Sequence, residues 1–218
     1  MKITKTIFIL TILCIAQFGS SQKVFRNVIE ISTNVGFSSD LAPLHTISSF
    51  SSPEDIIMEQ RSPARVRSFA LSLGGYLTKR SGFKVTAGQL EFGYDYKGRL
   101  ETSNTPISDS YRVTYLDFGI VLMHRIPISE SLKILVNSGF HFNTDGSPRS
   151  GTINYGNRNS YSASGYVGAE IPMFGNHFFI NGGLQVKYPL KQYNRDRGSG
   201  IQYLPYFIGI KIGVNYQF

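Results

Sequence analysis

Charged side chains set within alternating apolar segments are the residues of this sequence that could do chemistry. Each lies on the polar side of a segment in which apolar and polar residues alternate. They are Glu30, Glu91, Asp117, Glu170, Lys187 and Lys211. An isolated charge away from water is costly, so these groups are expected to pair with one another or to hold water. We interpret them as a polar cluster that fills an interior rather than as a binding site.

A catalytic site would need an acid, a base or a nucleophile with a reason to converge. Of the four histidines, only His141 lies on the polar side of an alternating segment. Asp117 and Glu170 could form a carboxylate pair, but they lie on segments that are not neighbours. No His, Cys or Asp spacing indicates a metal site. The sequence therefore predicts no catalytic residue, no cofactor and no metal, and a protein that is not an enzyme.

Eight alternating segments must position these residues, because a period of two places successive side chains on opposite faces of a strand. The segments lie near Val28–Phe37, Val66–Leu77, Phe83–Tyr96, Tyr111–His124, Leu132–Asn143, Ser160–Ile171, His177–Tyr188 and Ile208–Phe218. In the third, the predicted apolar face is Leu90, Phe92, Tyr94 and Tyr96, opposite Glu91. The expected fold is all-β, an eight-stranded antiparallel up-and-down transmembrane β-barrel.

The predicted connections alternate between long and short. Long polar loops are expected at Ser38–Arg65, Lys97–Ser110, Thr144–Asn159 and Pro189–Gln202, and short turns at Thr78–Gly82, Arg125–Ser131 and Pro172–Asn176. Longer external loops and short periplasmic turns are typical of outer-membrane barrels. Soluble up-and-down barrels have no physical reason to sort their loops in this way.

The first residues have the pattern of a secretory signal peptide. Lys2 and Lys5 precede an apolar run, and the small residues Gly19, Ser20 and Ser21 follow it. The run is shorter than the roughly 20 residues of a membrane-spanning helix. We predict a signal peptide over residues 1–21 and one barrel domain over 22–218. Removing the two lysines lowers the formal charge from +8 to +6, and no basic stripe indicates nucleic acid.

The last segment separates two kinds of side chain completely. Its apolar face runs from Ile208 to Phe218, and its other face carries Gly, Lys, Asn and Gln. The segment resembles the targeting signal of bacterial outer-membrane barrels, in which a polar residue, a glycine and two aromatic residues are spaced like Lys211, Gly213, Tyr216 and Phe218. This resemblance implies recognition by the barrel-assembly machinery.

A second resemblance lies in Thr114–Arg125, which reads Thr-Tyr-Leu-Asp-Phe-Gly-Ile-Val-Leu-Met-His-Arg. It resembles the Tyr-Leu-Glu-Ile-Pro-Leu-Leu-Leu-Lys-Tyr strand of the small outer-membrane β-barrels of Bacteroidota, the porin-family and PorT-like proteins. Asp117 corresponds to the glutamate of that family, and Gly119 replaces its proline. The resemblance implies a bacterial outer-membrane barrel and, in the PorT-like branch, an accessory of protein secretion.

The function expected from the sequence is a structural or interaction role in the bacterial cell envelope. The barrel should be a monomer in the outer membrane, with a lumen plugged by polar side chains. Its expected partners are outer-membrane lipid, lipopolysaccharide, the assembly machinery and an envelope protein. Three alternatives remain open: an accessory barrel of a secretion machine, a lipid-modifying enzyme and a secreted binder of the lipocalin type. The last would need its aliphatic faces turned inward.

Overall fold

The computed structural model describes residues 26–41, 44, 46–47, 55–145, 159–175, 177–190 and 204–218. The predicted signal peptide and most of two predicted loops, Thr144–Asn159 and Pro189–Gln202, lie outside these residues. Within them, no helix is long and apolar enough to cross a membrane.

Nine strands are present in the described residues: β1 (Arg26–Asp40), β2 (Thr46–Ile47), β3 (Ile56–Tyr76), β4 (Ser81–Leu100), β5 (Pro106–Pro127), β6 (Lys133–Asp145), β7 (Ser160–Phe174), β8 (Phe178–Pro189) and β9 (Pro205–Gln217). All of them except β2 form one closed antiparallel ring in which each strand pairs with its neighbours in the chain. Pairing of β1 with β9, from Val28↔Gln217 to Asp40↔Pro205, closes the ring. The prediction of an eight-stranded up-and-down barrel is confirmed.

Apolar side chains cover the outside of the ring, and polar side chains fill much of its inside. Ile31, Ile120 and Ile210 are 53%, 60% and 61% exposed, whereas the charged residues Glu30, Asp117 and Lys211 of the same three strands are buried. A soluble β-barrel has the opposite arrangement, because burial of apolar surface from water stabilises its fold. The lipocalin alternative requires aliphatic faces that are turned inward. In this structure they are turned outward.

One end of the barrel carries short turns. The β3–β4 and β5–β6 turns occupy residues 77–80 and 128–132, and 175–177 join β7 to β8. In the first of these, the Thr78 hydroxyl accepts a hydrogen bond from the Ser81 N–H at 2.8 Å. The two ends of the ring meet here as well, because the Asn27 N–H donates to the Phe218 carbonyl at 2.8 Å. We call this the turn end and the opposite end the loop end.

At the loop end, two predicted loops are shorter than the sequence indicated. Only residues 101–105 separate β4 from β5, because Gly98 pairs with Ile107 within the predicted loop Lys97–Ser110. Likewise β3 begins at Ile56, inside the predicted loop Ser38–Arg65, with an irregular register after Pro63. Proline lacks the N–H that a regular ladder needs, so this break is expected there. These strands continue beyond Asp145, the last described residue of β6. They form a ridge, the loop-end ridge, made of Ile56–Val66, Leu90–Leu100 and Pro106–Tyr115.

Candidate functional site

Alternation along the strands directs a set of charged side chains into the lumen. The buried charged residues of the described strands, apart from the loop-end pair Asp40 and Arg61, are Glu30, Lys84, Asp117, Arg125, Glu170, Lys187 and Lys211. These are three carboxylates and four cations, and they form three separate networks. Of the six residues that the sequence predicts for the lumen, the structure places all but Glu91 there.

Glu30 on β1 is the acceptor of the first network. The Lys84 ammonium lies 2.7 Å from its Oε1 and the Lys211 ammonium contacts the same oxygen. Asn181 Nδ2 donates to the other oxygen at 3.2 Å. One carboxylate therefore holds two cations, which joins β1 to its neighbour β9 and to the more distant β4. A buried charge with this many partners avoids the cost of an unpaired one.

The second network places a carboxylate, an imidazole and a hydroxyl in line on β5, β6 and β7. Asp117 Oδ1 lies 3.1 Å from Nδ1 of His141, and Nε2 of His141 lies 2.8 Å from the Ser164 hydroxyl. Lys187 also binds Asp117, at 2.5 Å. Gly119 provides the space for the imidazole, because a Cβ there would lie 2.4 Å from its Nδ1. The sequence pointed to Asp117 and His141 separately but did not indicate Ser164.

This order of groups matches that of a serine hydrolase, but the surroundings do not support acyl transfer. The cavity beside it measures about 30 Å³, which is space for about two waters. Backbone groups around Ser164 belong to the ladders with Gly139 and Lys187, which leaves no paired N–H donors directed at an oxyanion. The arrangement can hold water and fix the imidazole, but it offers no space for an acyl substrate.

Glu170 on β7 is the acceptor of the third network, near the turn end. Arg125 Nη2 lies 2.6 Å from Glu170 Oε1, and the amides of Asn215 and Gln217 donate to Oε2 at 3.1 and 3.3 Å. The guanidinium carbon of Arg125 lies 4.0 Å from the centroid of the Tyr76 ring. Glu170 and Asp117 thus bind different cations and do not form a carboxylate pair.

Glu91 lies outside the lumen, because the predicted face of its strand was wrong. Phe83 and Val85 at the start of β4 point outward, and the β4–β5 register is unbroken from Ser81 to Arg99. The same alternation therefore directs Glu91 outward, where its Oε2 accepts a hydrogen bond from the Arg67 N–H at 3.3 Å. The residues that were expected outside, Leu90, Phe92, Tyr94 and Tyr96, are all buried.

Those buried side chains form a core inside the loop end, which we call the aromatic core. Its members are Ile56, Met58, Val66, Leu90, Phe92, Tyr94, Tyr96, Tyr111, Val113, Tyr115 and Phe207. The Tyr94 and Tyr111 ring centroids are 5.4 Å apart, and those of Phe92 and Tyr115 are 5.6 Å apart. The guanidinium of Arg61 lies 4.8 Å from the Tyr94 ring and pairs with Asp40. The lumen is therefore mainly aromatic and aliphatic at this end, with one ion pair beside the rings, and charged in its middle.

The sequence prediction missed two lumen cations, Lys84 and Arg125. Lys84 lies between Phe83 and Val85, so reading the face of β4 from these two residues would have directed it inward. Arg125 was assigned to the turn after the fourth segment, but β5 continues to Pro127. In both cases the signal was the continuation of a regular alternation.

The terminal residues that resemble a targeting signal divide between the two faces of β9. Lys211 and Gly213 face the lumen, whereas Tyr216 and Phe218 face outward. The Tyr216 ring stacks on the Phe218 ring with 5.6 Å between ring centroids, and its centroid lies 4.8 Å from that of Phe178. The two outward rings therefore form a continuous aromatic surface at the turn end.

Comparison with known proteins gives a fold and no family. No protein-family model matches the chain, and no curated protein sequence does. Among solved structures, the chain is similar to Neisserial surface protein A, with a TM-score of 0.54 and 13% identity over 88% of this chain and 97% of that one. It is also similar to the outer membrane protein OprG of Pseudomonas aeruginosa, with a TM-score of 0.50 and 12% identity over 91% and 98%. The chain has the fold of the eight-stranded outer-membrane barrels.

Proposed function

We propose that this protein is an integral outer-membrane β-barrel with a structural or interaction role in the cell envelope and a lumen that conducts no ions. The observation that carries the proposal is the reversal of polarity across the ring, with aliphatic residues outside and ion pairs inside. An apolar band around a closed barrel suits hydrocarbon, because ladders between neighbouring strands run all the way round the ring and pair backbone groups within it.

The lumen contents support a closed barrel. An eight-stranded ring has an interior that side chains can fill. Here the aromatic core occupies the loop end, and the networks of Glu30, Asp117 and Glu170 occupy the middle and the turn end. The cavity of about 30 Å³ beside the Glu30 and Asp117 networks is large enough for water. An ion would have to break a buried pair to pass.

Conductance across planar bilayers tests the closed lumen. The purified full-length chain should produce no discrete current steps, while an open porin added to the same bilayers does. Insertion is checked beforehand by the heat-dependent shift in gel migration that folded barrels show. Stable steps from verified, inserted protein would overturn the proposal of a plugged lumen without affecting the membrane location.

Membrane location has its own test. Separation of inner and outer membranes from the native cell should place the protein with the outer membrane, after removal of residues 1–21. We propose that Lys211, Gly213, Tyr216 and Phe218 direct assembly, since the last two present adjacent rings to the outside. Substituting Phe218 with Ser should lower the amount of folded barrel in that fraction, and Lys97→Ser should not.

A second candidate function is that of an accessory barrel in a secretion machine, as the PorT-like resemblance of Thr114–Arg125 implies. The loop-end ridge favours it, because strands that stay paired beyond the described end of β6 offer a regular surface to an envelope protein. Its outward face carries the Arg99–Glu59 and Arg112–Asp95 pairs at 3.3 and 2.8 Å. Extraction from native membranes in mild detergent should recover a stoichiometric protein under this alternative. Recovery of the barrel with lipid alone would leave the first proposal.

A further inference from the structure

A cationic cavity opens at the turn end of the lumen, which we call the turn-end pocket. It measures about 380 Å³ and is lined by Arg26, Tyr76, Thr78, Lys79, Arg80, Arg125, Pro127 and Lys133. The five cations come from four parts of the chain: the start of β1, the β3–β4 turn, the end of β5 and the start of β6. The closed ring therefore gathers positive charge from distant segments at one opening.

Most of this positive charge has no ion-pair partner, although Glu170 lies directly across the strand pair from Lys133. Arg125 pairs with Glu170, but in the part of the chain that the structure describes, no carboxylate forms an ion pair with Arg26, Lys79, Arg80 or Lys133. Even Arg125 has a buried Nε without a hydrogen-bond partner among the described atoms. Like charges held at short range repel one another. An anion in the pocket would remove this repulsion.

The pocket wall is held in place before any ligand arrives. In the β3–β4 turn, the N–H groups of Arg80 and Ser81 donate to the Thr78 hydroxyl at 3.2 and 2.8 Å. The Arg80 carbonyl accepts from the Arg125 N–H at 2.7 Å, which fixes the turn against β5. At the opposite wall, the Lys133 ammonium lies 4.8 Å from the Phe179 ring. Because the backbone of this turn is already ordered, it adds little to the conformational entropy lost on binding.

We propose that the turn-end pocket binds a small anion with more than one phosphate group. Guanidinium groups match phosphate oxygens in geometry, and ammonium groups add point charges. Several uncompensated cations favour a multivalent anion over a single carboxylate. The volume suits a small molecule rather than a folded segment. Tyr76 and Arg125 face inward, whereas Arg26, Lys79 and Arg80 are exposed, so we expect the ligand to enter from the solution at the turn end.

Isothermal titration with sodium pyrophosphate tests the proposal on the full chain in a nonionic detergent. We expect saturable binding of one pyrophosphate per chain, weakened by added salt because the attraction is between charges. The test variant is Lys79→Gln with Lys133→Gln, and the matched control is Lys97→Gln with Arg99→Gln at the loop end. Both remove two cations, so the overall charge is the same. Arg125 is left unchanged because Glu170 would lose its partner.

The test variant should bind pyrophosphate at least about tenfold more weakly, while the control binds as the native chain does. Equal thermal unfolding of the two variants shows that folding is not the cause. Absence of saturable binding up to about 10 mM, or equal weakening in both variants, overturns the proposal. Inorganic phosphate or citrate binding as tightly as pyrophosphate overturns the preference for several phosphate groups. Because titration in detergent requires neither a membrane nor a partner protein, its outcome is independent of the proposed envelope role.

Discussion

At the scale of single residues, the lumen depends on carboxylates that each serve more than one partner. Glu30 holds Lys84 and Lys211, and Asn181 donates to it as well. Removing the shared acceptor, Glu30, therefore has a different effect on the network from removing one of its two lysine donors. The first leaves two buried ammonium groups facing each other, whereas the second leaves an intact pair.

This asymmetry predicts the order of stability of two variants. Glu30→Gln should lower the free energy of unfolding by about 3–5 kcal/mol, the range for a buried charge left without its partner. Lys211→Met should cost less, because Lys84 still neutralises Glu30. Lys97→Met, at an exposed position of the loop-end ridge, should change it by less than about 0.5 kcal/mol. Urea unfolding in lipid vesicles measures all three, and a larger loss for Lys211→Met would contradict the shared-acceptor interpretation.

At the scale of elements, β4 shows that the environment, and not the strand, determines which face is apolar. Its alternation is regular from Ser81 to Arg99, yet its apolar side is outside at Phe83 and inside at Tyr94. The part of β4 near the turn end belongs to the apolar band, and the part near the loop end belongs to the loop-end ridge. The outer surface of the ridge carries charge, so its apolar residues form a core of the kind found in soluble proteins.

Paired substitutions on β4 test this change of polarity. Tyr94→Ala should destabilise the barrel by about 3–5 kcal/mol, as removal of a large core ring does. Glu91→Ala, on the outer face of the same strand, should be close to neutral. The measurement is the urea midpoint of unfolding for each variant, compared when the dependence of the unfolding free energy on urea is the same in both. The opposite order would restore the face that the sequence first indicated.

Arginine substitutions locate the apolar band from outside. At Leu71, Ile120 or Ile210, arginine should lower the free energy of unfolding in a bilayer by about 2–4 kcal/mol, the cost at the midplane. At a position near the bilayer interface the cost falls to about 0–1 kcal/mol. Gln89, which points outward on β4 above Val85, should tolerate arginine well. Folding yields in lipid vesicles give the comparison. Equal yields for all four variants would contradict a hydrocarbon environment around Ile120 and its neighbours.

Strand order and most faces followed from alternation in the sequence, because a ring with unlike inside and outside repeats the same contrast in every strand. Asp117 and His141 were identified as inward for this reason, although the hydroxyl of Ser164 that completes their line was not. The prediction that Glu91 faces the lumen was wrong, because alternation separates the two faces of a strand without indicating which of them lies inside the barrel. The exposed Phe83 and Val85 at the start of β4 show which face is outside, and continued alternation from them places Glu91 on that face. The partners of Glu30 were beyond prediction from spacing, since Lys211 lies 181 residues away.

At the scale of the whole molecule, the lumen is divided along its axis into layers of different chemistry. Rings close the loop end, ion pairs cross the middle, and unpaired cations surround the turn-end opening. The networks of Glu30 and Glu170 both include residues of β9, so they are complete only in the closed barrel. Stability and any ligand binding should therefore be lost together on unfolding, in one cooperative transition.

Pairing between β1 and β9 also determines when the molecule can become a barrel. The hydrogen-bonding edge of β1 has its partner near the other end of the chain, so a ribosome or a translocation channel that delivers residues in order leaves that edge open until the end. Until then an exposed edge can pair with a foreign strand. Pairing of β1 with β9 is thus the last step of folding. It is also expected to be the slowest, since long-range pairing costs the most chain entropy. A protein built in this way needs its early strands kept apart from other chains in transit.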